Sequence, residues 1–267
     1  MPAIDPARLR RQAADLAEWF DRPERLMLEL EHLLEFYADR THRQRGENSS
    51  EMPVLLKHYR APEPALKRIL TEWLPRAGAN PVAALALADA LWHKPIFETR
   101  LLACRLLGSL SAEHHEAIGE RLRAWGAENE EEELIPALAS AALARLRAEA
   151  PARFFALVEA WLGAARAREQ RLGVRALRAL LEETDFSNLP AVFKLLAPLV
   201  MVHPASLRPS LLRLVNALAK ASPAETAYFL RGCLADGGHA AWVVRHSVEF
   251  FDGPTAEGLR QAAREGA

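Results

Sequence analysis

The amino-acid sequence predicts an all-α protein, built as an α-solenoid of HEAT-like antiparallel helical pairs. Apolar residues recur at every third or fourth position, as in Leu9, Ala13, Leu16 and Phe20, which is the spacing of one buried helix face. Val, Ile and Thr are sparse and no run alternates apolar with polar residues, so we expect no sheet. Helix-boundary signals also recur at similar intervals along most of the chain.

Several helices are predicted to begin where a capping residue precedes a proline. Proline is tolerated at the first helical position because the N–H that it lacks would have no partner there. The clearest examples are Asp5-Pro6, Asn80-Pro81 and Ser222-Pro223. From about residue 81 such breaks predict helices of roughly 12 to 18 residues, in pairs that begin near 81, 112, 152, 188 and 223. Intervals of about 31 to 40 residues are typical of HEAT repeats, and a plain helical bundle has no reason to keep them.

The chain is expected to form a single HEAT-like domain over residues 1–267, stacked in a right-handed sense. Residues 1–50 are predicted to form a helical pair, near 6–20 and 23–39, followed by a polar loop. Residues 51–252 hold the repeats, and residues 253–267 form a C-terminal helix.

Composition excludes several protein classes. The 267 residues include 34 Lys+Arg and 35 Asp+Glu, with 50% hydrophobic residues, a balance typical of globular proteins and unlike disordered or collagenous chains. No apolar run approaches the roughly 18 residues of a membrane span, and the first residues lack the apolar segment of a secretory signal. Cys104 and Cys233 lie in apolar stretches and are interpreted as core residues in a reducing cytoplasm. We therefore expect a cytoplasmic monomer.

No familiar catalytic or ligand-binding motif occurs. GxGxxG, GxxxxGK[ST], HExxH, CxxC and GxSxG are all missing from the sequence, so no nucleotide, metal or acyl-transfer chemistry is predicted. His114 and His115 lie side by side, but adjacent helical residues point about 100° apart and cannot share one ion. We therefore expect neither a cofactor nor a metal.

Charge is distributed unevenly along the chain. Residues 1–150 carry 20 Lys+Arg and 24 Asp+Glu, whereas residues 151–267 carry 14 and 11, which gives net charges of -4 and +3. A predicted helix in the second half bears a basic stripe at i, i+3, i+7 and i+10: Arg168, Arg171, Arg175 and Arg178. The next pair adds Arg208, Arg213 and Lys220. Such a surface suits phosphate binding, although a solvated helix face would show the same pattern.

Residues 91–100, LWHKPIFETR, resemble the hallmark of the AlkD-like HEAT-repeat DNA glycosylases. Residues 58–74, HYRAPEPALKRILTEWL, look like the helix that precedes this hallmark in the family. Residues 133–136, 168–171 and 244–248 also fit, so the resemblance covers roughly residues 50–252. Within the hallmark, Trp92 is interpreted as a core residue and Glu98 as a capping or dipole partner at a helix start, so both identify the fold and not a site.

The resemblance implies a concave basic groove that holds duplex or branched DNA by its backbone, with Arg245 among the contacts. Active members of the family release N3- or N7-alkylated purines with two aromatic residues, an acid and an arginine. The arginine carries over to Arg171 and the acid to Glu132. The first aromatic position lies near Glu128 and the second falls on Arg213, so the aromatics do not carry over and base excision is predicted to be feeble or absent.

Three functions stay open at this point. The first is a repair-associated protein that binds DNA without robust base excision. The second is an active alkylpurine glycosylase that uses Glu132 with a different aromatic partner, such as Trp125 or Trp242. The third is a protein-interaction scaffold, a common role of HEAT solenoids. Salt-dependent DNA binding distinguishes the first two from the third, and release of a methylated base distinguishes the second from the first.

Overall fold

The computed structural model describes residues 5–39, 56–128, 132–182, 186–235 and 239–265. Within these ranges the protein is all-α, as predicted, and contains no named strand. Within these ranges an isolated parallel β-bridge pairs Lys57 with Ile96. It is closed by hydrogen bonds from Lys57 N–H to the Pro95 carbonyl (2.9 Å) and from Phe97 N–H to the Lys57 carbonyl (3.0 Å).

In chain order the helices are α1 Pro6–Ala17, α2 Pro23–Tyr37, α3 Glu63–Ala79, α4 Pro81–His93, α5 Phe97–Leu107, α6 His115–Glu128, α7 Ile135–Ala139, α8 Ala144–Glu149, α9 Pro151–Leu162, α10 Ala167–Leu180, α11 Leu189–Val202, α12 Arg208–Ala221, α13 Pro223–Ala235, α14 Ala241–Ser247 and α15 Gly253–Glu265. From α3 to α6 and from α7 onward, short connections join the helices. Short 3₁₀ turns cover Ala112–His114, Glu132–Leu134, Ala141–Leu143 and Val248–Phe250.

The predicted cap and proline signals mark real helix starts. Helices α1, α4 and α13 begin at prolines 6, 81 and 223. The Asp5 carboxylate accepts hydrogen bonds from the N–H groups of Ala7 (2.9 Å) and Arg8 (3.2 Å). The Asn80 side-chain oxygen accepts one from the N–H of Ala83 (3.1 Å). These bonds satisfy amide groups that have no partner inside the helix.

The packing pattern is that of stacked helical pairs. The chain divides into two compact units, Met1–Pro151 and Ala152–Ala267, which we name the N-terminal and C-terminal units. In the N-terminal unit α1 packs on α3, α2 on α4 and α3 on α5. In the C-terminal unit α10 packs on α12, α11 on α13, α12 on α14 and α13 on α15. In these pairs a helix meets the second helix along, as expected for a solenoid. That the whole chain forms one domain stays a prediction.

The second helix of the pair that starts near residue 112 departs from the predicted length. It is broken at Ser140 into α7, a 3₁₀ turn and α8. Gly108 lies so near this break that a Cβ added to it would be 1.8 Å from the Ala141 carbonyl oxygen. The N–H of Arg145 donates to the Gly108 carbonyl (3.2 Å), and the Ser140 carbonyl accepts from the Arg147 guanidinium (2.7 Å). Contacts with α5 and with Arg147 thus replace bonds of an unbroken helix.

Glu98 is a buried structural carboxylate. Its side chain is 2% exposed and accepts hydrogen bonds from the N–H groups of Tyr59 (3.2 Å), Arg60 (2.6 Å) and Ala61 (3.3 Å). Arg60 adopts the left-handed conformation, with φ 54°. The hydrogen bonds of the carboxylate therefore hold the irregular segment 59–61 against the start of α5. Trp92 is also buried. Trp92 therefore has the core role that the sequence indicated. Glu98 lies in the first turn of α5, where a carboxylate suits the helix dipole. Its hydrogen bonds go to residues 59–61 and not to the first amides of α5, so its interpretation as a capping residue is wrong.

Both cysteines are free and buried, in agreement with their interpretation as core residues. Burial raises the pKa of the Cys104 thiol far above its ordinary value. The reactive thiolate form is therefore strongly disfavoured at neutral pH.

Candidate nucleic-acid interface

Helix α10 carries the predicted arginine stripe on its outer side. Arg168 is exposed, and the other three arginines of the stripe are half-buried. Leu172, Val174 and Leu177 on the remaining faces of the helix are buried. Arg178 lies in the last turn of α10, where a cation interacts favourably with the helix dipole. The amphipathic pattern therefore holds, with the arginines more exposed than the apolar residues of α10.

Arg178, Arg213 and Lys220 line one depression of about 530 Å³ between α10 and α12, which we name the α10/α12 depression. Its other lining residues are Leu181, Glu182, Asn216, Ala217 and Ala221. Arg213 and Lys220 are exposed. The Glu182 carboxylate lies 3.3 Å from a guanidinium nitrogen of Arg178, and both side chains are open to solvent. Three cations and one carboxylate therefore border this surface, which gives it a positive balance.

Arg208 is placed differently from the other predicted contacts. It begins α12, and its guanidinium carbon lies 4.4 Å from the centre of the Trp242 ring. The His246 ring stacks on Trp242 at 4.1 Å between centroids, and the His203 ring lies parallel to it at 5.7 Å. Trp242 is thus engaged by side chains of its own unit. Arg208 is held by this cluster, so its charge lies beside the aromatic group.

Arg245 lines a second basic concavity in the C-terminal unit. This depression of about 460 Å³ is bordered by Arg245, Val248, Arg260, Ala263 and Arg264, and we name it the α14/α15 pocket. Sequence reasoning selected Arg245 but missed Arg260 and Arg264. Two arginines four positions apart on a terminal helix are typical of a solvated face, so the sequence offered no stronger signal.

Glu132 is exposed at the start of the 3₁₀ turn Glu132–Leu134. It belongs to the N-terminal unit, whereas Arg171 belongs to the C-terminal unit. The pairing of this acid with this arginine stays a prediction. The first two residues of the acidic run that contains Glu132, residues 130–131, lie outside the described residues.

Trp125, an alternative aromatic partner for base excision, is part of the core. It is 4% exposed and stacks face to face on Trp92, with ring centroids 4.5 Å apart and an interplanar angle of 5°. The guanidinium of Arg100 lies 4.8 Å from the centre of the Trp92 ring. Trp125 therefore stabilises the N-terminal unit and does not present an aromatic face to a ligand.

No group of three or more His, Cys, Asp or Glu residues in the described ranges is arranged to hold a metal ion. None of the helices in those ranges combines the length and the apolar character that crossing a membrane demands.

Comparisons with known proteins bear on this basic surface. A family model described as DNA alkylation repair enzyme matches residues 35–201. Neither the curated proteins nor the solved structures provide a match to the chain. The family match runs from the end of α2 through nearly all of α11 and includes the arginine stripe of α10. Because it spans well over half of the sequence, the chain belongs to the DNA alkylation repair enzyme family.

Proposed function

We propose that this protein binds duplex or branched DNA through backbone phosphates, using the basic surface of its C-terminal unit, and that it has little or no base-excision activity. Membership of the DNA alkylation repair family supports a role related to that process. The observation that carries the proposal is the α10/α12 depression, where Arg178 meets Arg213 and Lys220.

The chemistry of this depression suits a polyanion. Arginine donates hydrogen bonds to two phosphate oxygens at once, and lysine adds a compact charge. Each phosphate that a cation neutralises releases counterions from DNA, so affinity falls steeply with salt. The excess of basic residues from position 151 onward favours this unit over the acidic first half as the DNA-binding part.

The surroundings of the candidate acid support weak or absent excision. A carboxylate assists glycosidic cleavage only if rigid neighbours hold it near the sugar, because about 1 Å of misplacement can cost on the order of a hundredfold in rate. Glu132 is exposed on a short turn, and Trp125 is buried against Trp92. In the resemblance, Arg213 occupies the second aromatic position, where a cation would repel a positively charged alkylpurine.

The proposal predicts salt-dependent DNA binding by the full-length protein. Binding is measured by fluorescence anisotropy with labelled duplex, nicked and four-way branched DNA between about 50 and 200 mM salt. The logarithm of the affinity should fall with the logarithm of the salt concentration with a slope of about -2 or steeper, because each phosphate contact contributes about one unit of slope. The preferred DNA form is the one with the highest affinity at the higher salt. Absence of binding at 50 mM salt would contradict the proposal and favour a protein-interaction scaffold.

We also predict no release of methylated base above the spontaneous rate. The protein is incubated in excess with duplex DNA that carries N7-methylguanine, and free base is measured by chromatography. Glu132→Gln serves as the matched variant and should behave like the wild-type protein. Release well above the spontaneous rate that Glu132→Gln abolishes would instead establish an alkylpurine glycosylase.

A further inference from the structure

The α14/α15 pocket gathers three arginines around a small apolar floor. Val248 and Ala263 are 6% and 2% exposed, whereas Arg245, Arg260 and Arg264 are exposed. All charged side chains among the described residues that line the pocket are arginines. Guanidinium groups around one concavity can donate several hydrogen bonds to a single anion.

Two of these arginines would repel each other without an anion. Arg260 and Arg264 lie four positions apart on α15, a spacing at which like charges destabilise a helix. Glu257 forms an ion pair with Arg260 at 3.0 Å and offsets part of this charge. Both side chains of that pair are about half-exposed or more, so the pair is screened by solvent. A net positive charge therefore stays at the mouth of the pocket.

The third arginine, Arg245, comes from the neighbouring helix α14. The Nε of Arg245 donates to the Ala241 carbonyl one turn earlier in α14 (3.2 Å), which aligns the guanidinium along its own helix. Arg264 lies in the last turn of α15, where the helix dipole favours a cation. The pocket thus has arginines on both of its walls.

We propose that Arg245, Arg260 and Arg264 form a second phosphate-binding pocket, distinct from the α10/α12 depression. Phosphate is the ligand class because its tetrahedral oxygens can accept from guanidinium groups on two walls at once. This phosphate would belong to the DNA that α10 and α12 bind, so the proposal rests on the proposed function. It extends the DNA-contacting surface to α15, a helix beyond the family match.

The pocket is tested first without DNA. Isothermal titration calorimetry with inorganic tripolyphosphate uses full-length protein that carries Arg213→Gln and Lys220→Gln, so that the α10/α12 depression contributes little. Adding Arg260→Gln and Arg264→Gln should weaken binding tenfold or more, whereas adding Arg10→Gln and Arg11→Gln should not. Unchanged affinity in the first case, or equal binding of the tricarboxylate tricarballylate, would overturn the proposal.

DNA binding is then measured for Arg260→Gln with Arg264→Gln in the otherwise wild-type protein. Affinity should fall, and the salt slope should decrease by about two. Duplexes with and without a 5′-phosphate distinguish a backbone phosphate from a terminal phosphate as the ligand of the pocket. The terminal phosphate is the ligand only if it raises the affinity of the wild-type protein and the variant loses that gain. If the wild-type protein binds no DNA but tripolyphosphate binding still needs these arginines, the proposed function fails and the pocket stands. If DNA binds and the variant has no effect, the extended surface is wrong.

Discussion

Replacing both Arg213 and Lys220 by glutamate is expected to weaken DNA binding by about a hundredfold or more at 50 mM salt. The change removes two cations from the α10/α12 depression and adds two anions opposite the phosphates. Losing two phosphate contacts should also reduce the steepness of the salt dependence by about two. Because both side chains are exposed, the fold should be unaffected, which circular dichroism can verify.

The matched control reverses the same number of charges elsewhere. Arg10 and Arg11 are exposed on α1 in the N-terminal unit, so Arg10→Glu with Arg11→Glu changes net charge equally. This control should lower DNA affinity by less than about threefold through general repulsion. Equal losses in the two double variants would show that only net charge matters and that the depression does not contact DNA.

Replacing Gly108 by alanine is expected to destabilise the protein by about 3 kcal/mol or more. The added Cβ would lie 1.8 Å from the Ala141 carbonyl oxygen and 2.9 Å from its carbon. These are backbone atoms, so no side-chain rotation can relieve the clash, and α5 must move away from the broken second helix. Urea denaturation followed by far-ultraviolet circular dichroism measures the effect as a lower midpoint.

The control uses the same substitution where space is open. An added Cβ at Gly78 in α3 meets nothing within 4 Å, so Gly78→Ala should leave stability unchanged or raise it by up to about 1 kcal/mol through helix propensity. Both glycines lie in the N-terminal unit. Similar midpoints for the two variants would mean that the chain accommodates the Gly108 contact without cost.

Much of the fold could be predicted because its determinants are local. Capping residues such as Asp5 and Asn80 act within three positions of themselves, so the sequence shows where α1 and α4 begin. The broken helix after Ser140 was missed because its cause is the approach of Gly108, more than 30 residues earlier in the sequence. A glycine at a helix end looks the same whether or not another backbone touches it.

The candidate site was only partly predictable for the same physical reason. The arginines of α10 form a stripe that depends on helical spacing alone, and the sequence shows it. The packing of α10 against α12 decides which residues of α12 border Arg178. The sequence of one helix alone does not show how the two helices are aligned. Trp125 also illustrates the limit, because its burial depends on the Trp92 ring from another helix.

The packing of each helix on its near neighbours in sequence has a consequence for how the protein folds. The main partners of a helix are the next one or two along the chain, so few long loops must close before stabilising contacts form. Loop-closure entropy grows with loop length, and chains dominated by such local contacts have low contact order and fold quickly. Nucleation can therefore start at several helical pairs, with growth proceeding from each pair to the adjacent one, and a nascent chain can begin to fold before its last helices have been synthesised.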